Sequence, residues 1–212
     1  MKNAPRIQVL QYMHGDFEYF HWSEKINRAY CTRHGYQHVI SRETPRSDRH
    51  ITWHKIPVIV QAIKNGNADY LLFLDADAVF YSHELTIENE LLPLLNDKGI
   101  LMSQDFGSER DRWTPGLPNA GVILIKADHK TCEFFEFWDQ ASDMDESTRW
   151  NWPPEQLALW RMVLPKYPDM VHVHAEYYML HGRYGQYIRH YYASSDHVRT
   201  TEMQSVSQRV LS

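Results

Sequence analysis

The run Tyr70-Leu71-Leu72-Phe73-Leu74-Asp75-Ala76-Asp77-Ala78 decides how the chain is read. An uninterrupted apolar stretch, Tyr70–Leu74, with no polar face is what a strand buried on both sides of a mostly parallel sheet requires. In extended backbone, residues i and i+2 point to the same side. Asp75 and Asp77 therefore present two carboxylates together at the strand's end, with only the small Ala76 between them. Two neighbouring carboxylates repel each other and resist burial unless a cation compensates them. Hard oxygen ligands select Mg2+ or Mn2+, typically shared with substrate phosphates.

Outward from this run the chain alternates between strand and helix patterns. Upstream, Arg6–Met13 reads as a strand, and Ser23 caps a helix that Gly35 ends after His34. Gln37–Ile40 is a short strand, and Lys55–Lys64 is a helix with Pro57 in its first turn, closed by Asn65-Gly66-Asn67. Downstream, Ile87–Leu95 reads as helix and Ile100–Ser103 and Gly121–Lys126 as strands. His129–Ala141 is a helix with Phe134, Phe137 and Trp138 on its apolar face, and Pro153-Pro154 open another to about Val163. Val171–Val173 and Tyr187–Tyr192 complete the strands. The alternation predicts one α/β sandwich over residues 1–212, with a central, mostly parallel sheet and helices on both faces. Ligands of such sheets sit beyond the carboxyl ends of the strands. The βα rhythm is regular to about Leu101, whereas the loops after Asp105 are long and rich in Trp, Pro and His. Residues 1–101 are expected to form a nucleotide-binding half and residues 102–212 an acceptor-binding half.

Composition narrows the class. The 212 residues hold 22 Lys and Arg against 27 Asp and Glu, a net charge of −5, which argues against a nucleic-acid binder. With 43% apolar and 23% charged residues the chain is not a disordered segment. Cys31 and Cys132 form neither a metal spacing nor a disulfide framework, so a reducing, cytoplasmic setting is expected. No apolar run approaches the roughly 18 residues of a membrane span, and the opening residues lack a signal-peptide pattern. Seven Trp, 13 Tyr, 8 Phe and 13 His suit sugar and nucleobase contacts as well as core filling.

An apolar strand followed by Asp-x-Asp serves two chemistries. In phosphoryl transfer of the haloacid-dehalogenase type Asp75 would be the nucleophile, and Asp75-Ala76-Asp77-Ala78-Val79 fits the local pattern. That fold also needs a later strand ending in acidic residues. Asp139, Asp143, Asp145 and Glu146 lie instead at a helix end and in a polar loop. The other chemistry is glycosyl transfer, and a catalytically silent carbohydrate-binding relative is a third reading. Several blocks bear on the choice: Asn27-Arg28-Ala29-Tyr30 with His34-Gly35-Tyr36, Trp53-His54-Lys55-Ile56-Pro57, the Asp-x-Asp run, Asn119-Ala120-Gly121-Val122-Ile123-Leu124-Ile125, Glu155-Gln156-Leu157-Ala158-Leu159, and a late His190 before Tyr191-Tyr192-Ala193. In these blocks and in their order, the chain resembles the GT-A fold nucleotide-sugar glycosyltransferases, above all the galactosyl-, xylosyl- and mannosyltransferase family of the eukaryotic Golgi. Unlike that family it is expected to carry no anchor, and it departs from the family in Ala193-Ser194-Ser195, where the family has Gly-Cys after its late His. A closer likeness, to the amino-terminal glycosyltransferase module of multidomain chlorella-virus proteins, raises the expectation of further domains after residue 212.

The resemblance implies transfer of a hexose from a nucleotide-diphosphate sugar, UDP-sugar favoured over GDP-sugar, to a hydroxyl of a glycan or glycoprotein acceptor. It implies Mn2+ or Mg2+ ligated directly by Asp77 and by His190, with Asp75 contributing through the ribose or a second metal position and His181 as the alternative third ligand. Gln11, Tyr12 and Met13 at the end of the first strand are candidates for the base pocket, and Lys55 or Arg28 for the nucleotide's phosphates. Asn119 and Asp105 would hold the transferred sugar, with Gln156 beneath the anomeric carbon beside Glu155. Trp113, Trp150 and Trp152 lie in the loops expected to flank the acceptor. Glu155 or Asp105 could act as a base for inversion, whereas the family implies retention.

Overall fold

The computed structural model describes residues 4–44, 47–105, 117–175 and 182–211. Strand β3 (Tyr70–Asp75) lies at the centre, and Leu71, Leu72, Phe73 and Leu74 are all fully buried. Its alternate residues serve two cores. Leu71 and Phe73 pack with Ile56, Ile59, Phe134 and Trp138 on one face, while Leu72 and Leu74 meet Val9, Tyr30 and Cys31 on the other. Burial on both faces explains why the run carries no polar residue.

The other strands are β1 (Ile7–Tyr12), β2 (Gln37–Ser41), β4 (Ala78–Phe80), β5 (Ile100–Gln104), β6 (Pro118–Lys126), β7 (Val171–His174) and β8 (Ile188–His190). Six of them form the main sheet in the order β2-β1-β3-β6-β5-β7, and β4 and β8 form a two-stranded ribbon. β1 is parallel to β2 and β3, and β5 is parallel to β7. Only β6 is reversed, lying antiparallel to both β3 and β5. This reversal positions the site. Leu74 pairs with Val122, so the start of β6, rather than its end, lies against the carboxyl end of β3.

Helices α1 (Glu18–His34) and α2 (Lys55–Lys64) take opposite faces of the sheet, with α4 (His129–Met144) beside α2. The short helices are α3 (Ile87–Glu90), α5 (Ser147–Trp150), α6 (Pro154–Ala158) and α7 (Leu164–Lys166). The last helix, α8 (Asp196–Leu211), brings Met203 and Val206 against Tyr19, Phe20 and Ile26 of α1. Among the described residues no helix is long and apolar enough to cross a membrane.

Several boundaries differ from expectation, each for a local reason. α1 starts at Glu18, since buried Tyr19 and Phe20 extend its apolar face; Ser23 is an interior residue whose hydroxyl accepts from Gln11 Nε2 at 3.1 Å. Its end at Gly35 is as read, with the left-handed φ of 74° that glycine tolerates. Pro93, which lacks an N–H, breaks Ile87–Leu95 into α3 and a 3-10 turn at Leu92–Leu95. β6 begins at Pro118, so Asn119 belongs to the strand instead of a turn. α6 continues through a π-turn at Leu159–Val163. The ribbon strand β4 and helices α5 and α8 had no counterpart in the sequence reading.

Candidate active site

The chain leaves β3 at Asp75, turns through Ala76-Asp77, and enters β4. β4 pairs with β8 in a register that sets Ala78 opposite His190, and Tyr191 N donates to the Asp77 carbonyl at 2.9 Å. The ribbon thereby delivers His190 to the acidic pair. His190 Nε2 lies 3.2 Å from Asp77 Oδ1 and 3.8 Å from Asp75 Oδ2. Gly121 leaves room for the ring, because a Cβ there would fall 2.0 Å from His190 Cε1.

Asp77 is gripped from its other side by α8. Arg199 Nε and Nη2 each lie 3.0 Å from Asp77 Oδ2, and Arg199 Nη1 pairs with Asp196 Oδ1 at 3.0 Å. Burial pushes the Asp77 carboxyl up, but His190 and Arg199 outweigh it and hold the group down at about 2. Asp75 behaves oppositely. Its burial outweighs the opposing pull of Lys55 and His190, and the Asp77 carboxylate adds to it, so the group titrates above the usual range.

Behind Asp75 sits Lys55, buried at the start of α2. Its Nζ lies 2.8 Å from Asp75 Oδ1 and 3.1 Å from Glu155 Oε1, and donates to the Ala120 carbonyl at 3.2 Å. Burial opposes the ammonium charge, yet the Asp75 and Glu155 carboxylates prevail and keep Lys55 firmly protonated. Glu155 Oε2 is buried without a hydrogen-bond partner among the described residues. Trp138 Nε1 fixes the start of α6 by donating to the Glu155 carbonyl at 2.8 Å.

Amides extend the array. Gln156 Oε1 accepts from Ala120 N at 2.7 Å and its Nε2 donates to Asp105 Oδ2 at 3.1 Å. Asn119 Nδ2 donates to the same oxygen at 3.4 Å, while Asn119 Oδ1 accepts from Gly121 N at 2.8 Å. His190, Asp77, Asp75, Lys55, Glu155, Gln156, Asp105 and Asn119 thus form a continuous cluster. Within it the carboxylates of Asp75, Asp77, Glu155 and Asp105 face two permanent cations, Lys55 and Arg199. A divalent ion would bring that balance to neutrality. One ligand atom each from Asp75, Asp77 and His190 lies within 4.8 Å of the others, so the residues fit a hard cation with oxygen and imidazole donors.

The three residues expected at a base pocket are placed differently. Gln11 is fully buried: Nε2 donates to Ser23 Oγ and, at 3.4 Å, to the Asp75 carbonyl, and Oε1 lies 3.0 Å from His38 Nε2. Met13 is buried among Tyr19, Phe20 and Ile26, and the Tyr12 hydroxyl lies 2.9 Å from His54 Nδ1. All three face into the protein and support the strand end. Arg28 pairs with Glu24 on the exposed side of α1. Trp150 and Trp152 are 59% and 74% exposed, with Trp152 edge-on to His50 at 5.9 Å between ring centroids. Trp113 and His181 lie outside the described residues. Arg199 escaped the sequence reading; the available signal was an arginine shortly after the late histidine.

The fold and this cluster can be set beside known proteins. No curated protein matches the chain. Among solved structures it is similar to a glycosyltransferase involved in the glycosylation of the major capsid of PBCV-1, with a TM-score of 0.76 at 18% identity over 95% of this chain and 100% of that one. It is also similar to the glycosyltransferase GlyE of Streptococcus pneumoniae TIGR4, with a TM-score of 0.53 at 14% identity over 99% of this chain and 64% of that one. These likenesses concern the fold. Residues 7–175 match the galactosyl transferase GMA12/MNN10 family, a span that takes in the acidic pair, Lys55, Asn119 and Gln156. With its reversed β6 bringing those residues together, the chain belongs to that family and is a glycosyltransferase of the GT-A type.

Proposed function

We propose that the chain transfers a hexose from a nucleotide-diphosphate sugar, a UDP-sugar in preference to others, to a hydroxyl of a glycan acceptor, using Mn2+ or Mg2+ held by Asp75, Asp77 and His190. The carrying observation is the convergence of His190 on the acidic pair through the β4–β8 ribbon. When bound, a divalent ion neutralises charge on the departing nucleoside diphosphate. The protein's own residues prepare the rest. Lys55 holds Asp75 Oδ1 and so fixes the orientation of the carboxylate. Gln156 and Asn119 anchor Asp105, forming a polar wall suited to sugar hydroxyls beside the acidic pair. Glu155 is tied to Lys55 and only 4% exposed, which suits support of the donor better than deprotonation of an incoming hydroxyl. This favours retention, with the leaving phosphate accepting the acceptor's proton.

The test is a thermal-shift series of UDP and UDP-sugars with and without Mn2+, on the wild type and Asp77→Ala. Ligand that binds only the folded state raises Tm by linkage. UDP with Mn2+ is expected to raise Tm in the wild type, and the variant to lose the metal-dependent part. Equal stabilisation of both proteins by UDP without metal overturns the assignment.

A further inference from the structure

Arg199 lies beyond the family-matched residues, on a helix that supplies no other member of the cluster, yet its guanidinium reaches into the acidic pair. We propose that Arg199 is a diphosphate-binding residue of this chain, contacting the donor's phosphate oxygens while it still holds Asp77. This rests on the donor-site reading above.

The geometry supports it in three ways. A guanidinium carries five N–H donors in a fixed plane. Among the described residues, Arg199 gives two of them to Asp77 Oδ2 and one to Asp196 Oδ1, which leaves two donors on the Nη atoms. Planar paired donors match a phosphate as they match a carboxylate. Second, the side chain is held in place before any ligand arrives: Asp196 pairs with it at i,i+3, and its Cζ lies 5.3 Å from the centre of the Tyr19 ring. Little ordering entropy remains to be lost on binding. Third, Arg199 takes Oδ2 of Asp77 while Oδ1 faces His190, so one carboxylate serves a cationic side chain and a metal position without competition for the same oxygen. The other cation beside the acidic pair, Lys55, is consumed by Asp75, Glu155 and the Ala120 carbonyl, which makes Arg199 the cation better placed for an incoming polyanion.

Isothermal titration of wild type, Arg199→Lys and Arg199→Ala with UDP, inorganic pyrophosphate and uridine, each with and without Mn2+, decides the matter. Arg199→Ala is expected to bind UDP and pyrophosphate about tenfold to hundredfold more weakly, with uridine affinity unchanged. Arg199→Lys, which keeps the charge but loses the planar fork, should fall between them and confirms that the loss is not one of folding. A purely structural role would lower uridine and UDP affinity together, and that result overturns the inference, as does unchanged pyrophosphate affinity in both variants. Wild type that binds uridine nucleotides normally while the variants match it sinks Arg199 alone. Wild type that binds neither UDP nor pyrophosphate under any condition sinks the donor site with it.

Discussion

Gly121 and Lys55 each settle a neighbour's position, and substitution makes their roles measurable. A methyl group on Gly121 would collide with His190, whose ring is itself buried, so the histidine must move away from Asp77. Gly121→Ala is expected to cost about 1–3 kcal/mol in urea unfolding and to abolish the Mn2+-dependent rise in Tm. Lys55→Met would strand Asp75 and Glu155 as buried carboxylates without their cation. Removing one partner of such a buried pair costs about 3–5 kcal/mol, and chemical denaturation should show a loss of that size. Asp77 offers a pH signature in the metal-free protein. Its carboxyl is held at about 2 in the fold against an ordinary 3.8, so its stabilisation is complete above the ordinary value and disappears as pH falls through about 2. Between those limits the wild type should lose stability more steeply than Asp77→Asn. At this scale the sequence was informative where spacing is short. Asp75 and Asp77 announce each other across one residue, and Asn119 and Gln156 sit in recognisable blocks. Arg199 meets Asp77 from 122 positions away, a separation across which no local pattern acts.

Among the elements, those with strong periodicity or clear stop signals were legible: β3 from its unbroken apolar run, α2 from Pro57 to the Asn65-Gly66 turn, and the end of α1 from Gly35. The illegible ones rely on tertiary pairing. β4 is three residues long and acquires strand form from its ladder with β8, and α8 presents only a thin apolar stripe, with Met203 and Val206 buried among polar neighbours. Gln11 and Met13, expected at a base pocket, stand on the α1 side of β1, where helix burial claims them. Because α8 holds both Arg199 and these apolar contacts, its packing and its chemistry can be separated. Met203→Ala is expected to cost about 2–5 kcal/mol in equilibrium unfolding, while leaving the Kd for UDP with Mn2+ of the remaining folded protein within twofold or so of wild type, about the scatter of contact energies.

At the scale of the whole molecule, a net charge of −5 coexists with a proposed site for an anionic donor, so the compensation must be local. Lys55 and Arg199 offset two of the cluster's four carboxylates, and on the proposed reading a divalent ion offsets the other two. The ribbon that joins Ala78 to His190 has a mechanical corollary. An ion gripping both the early acidic pair and the late histidine works as a removable cross-link, closing a very long stretch of polypeptide into a ring. Because that arrangement exists only in the folded protein, the ion leaves on unfolding and its presence shifts the equilibrium toward the fold by mass action. Manganese alone, before any nucleotide is added, should therefore slow digestion by trypsin, and Asp77→Ala should lose that protection.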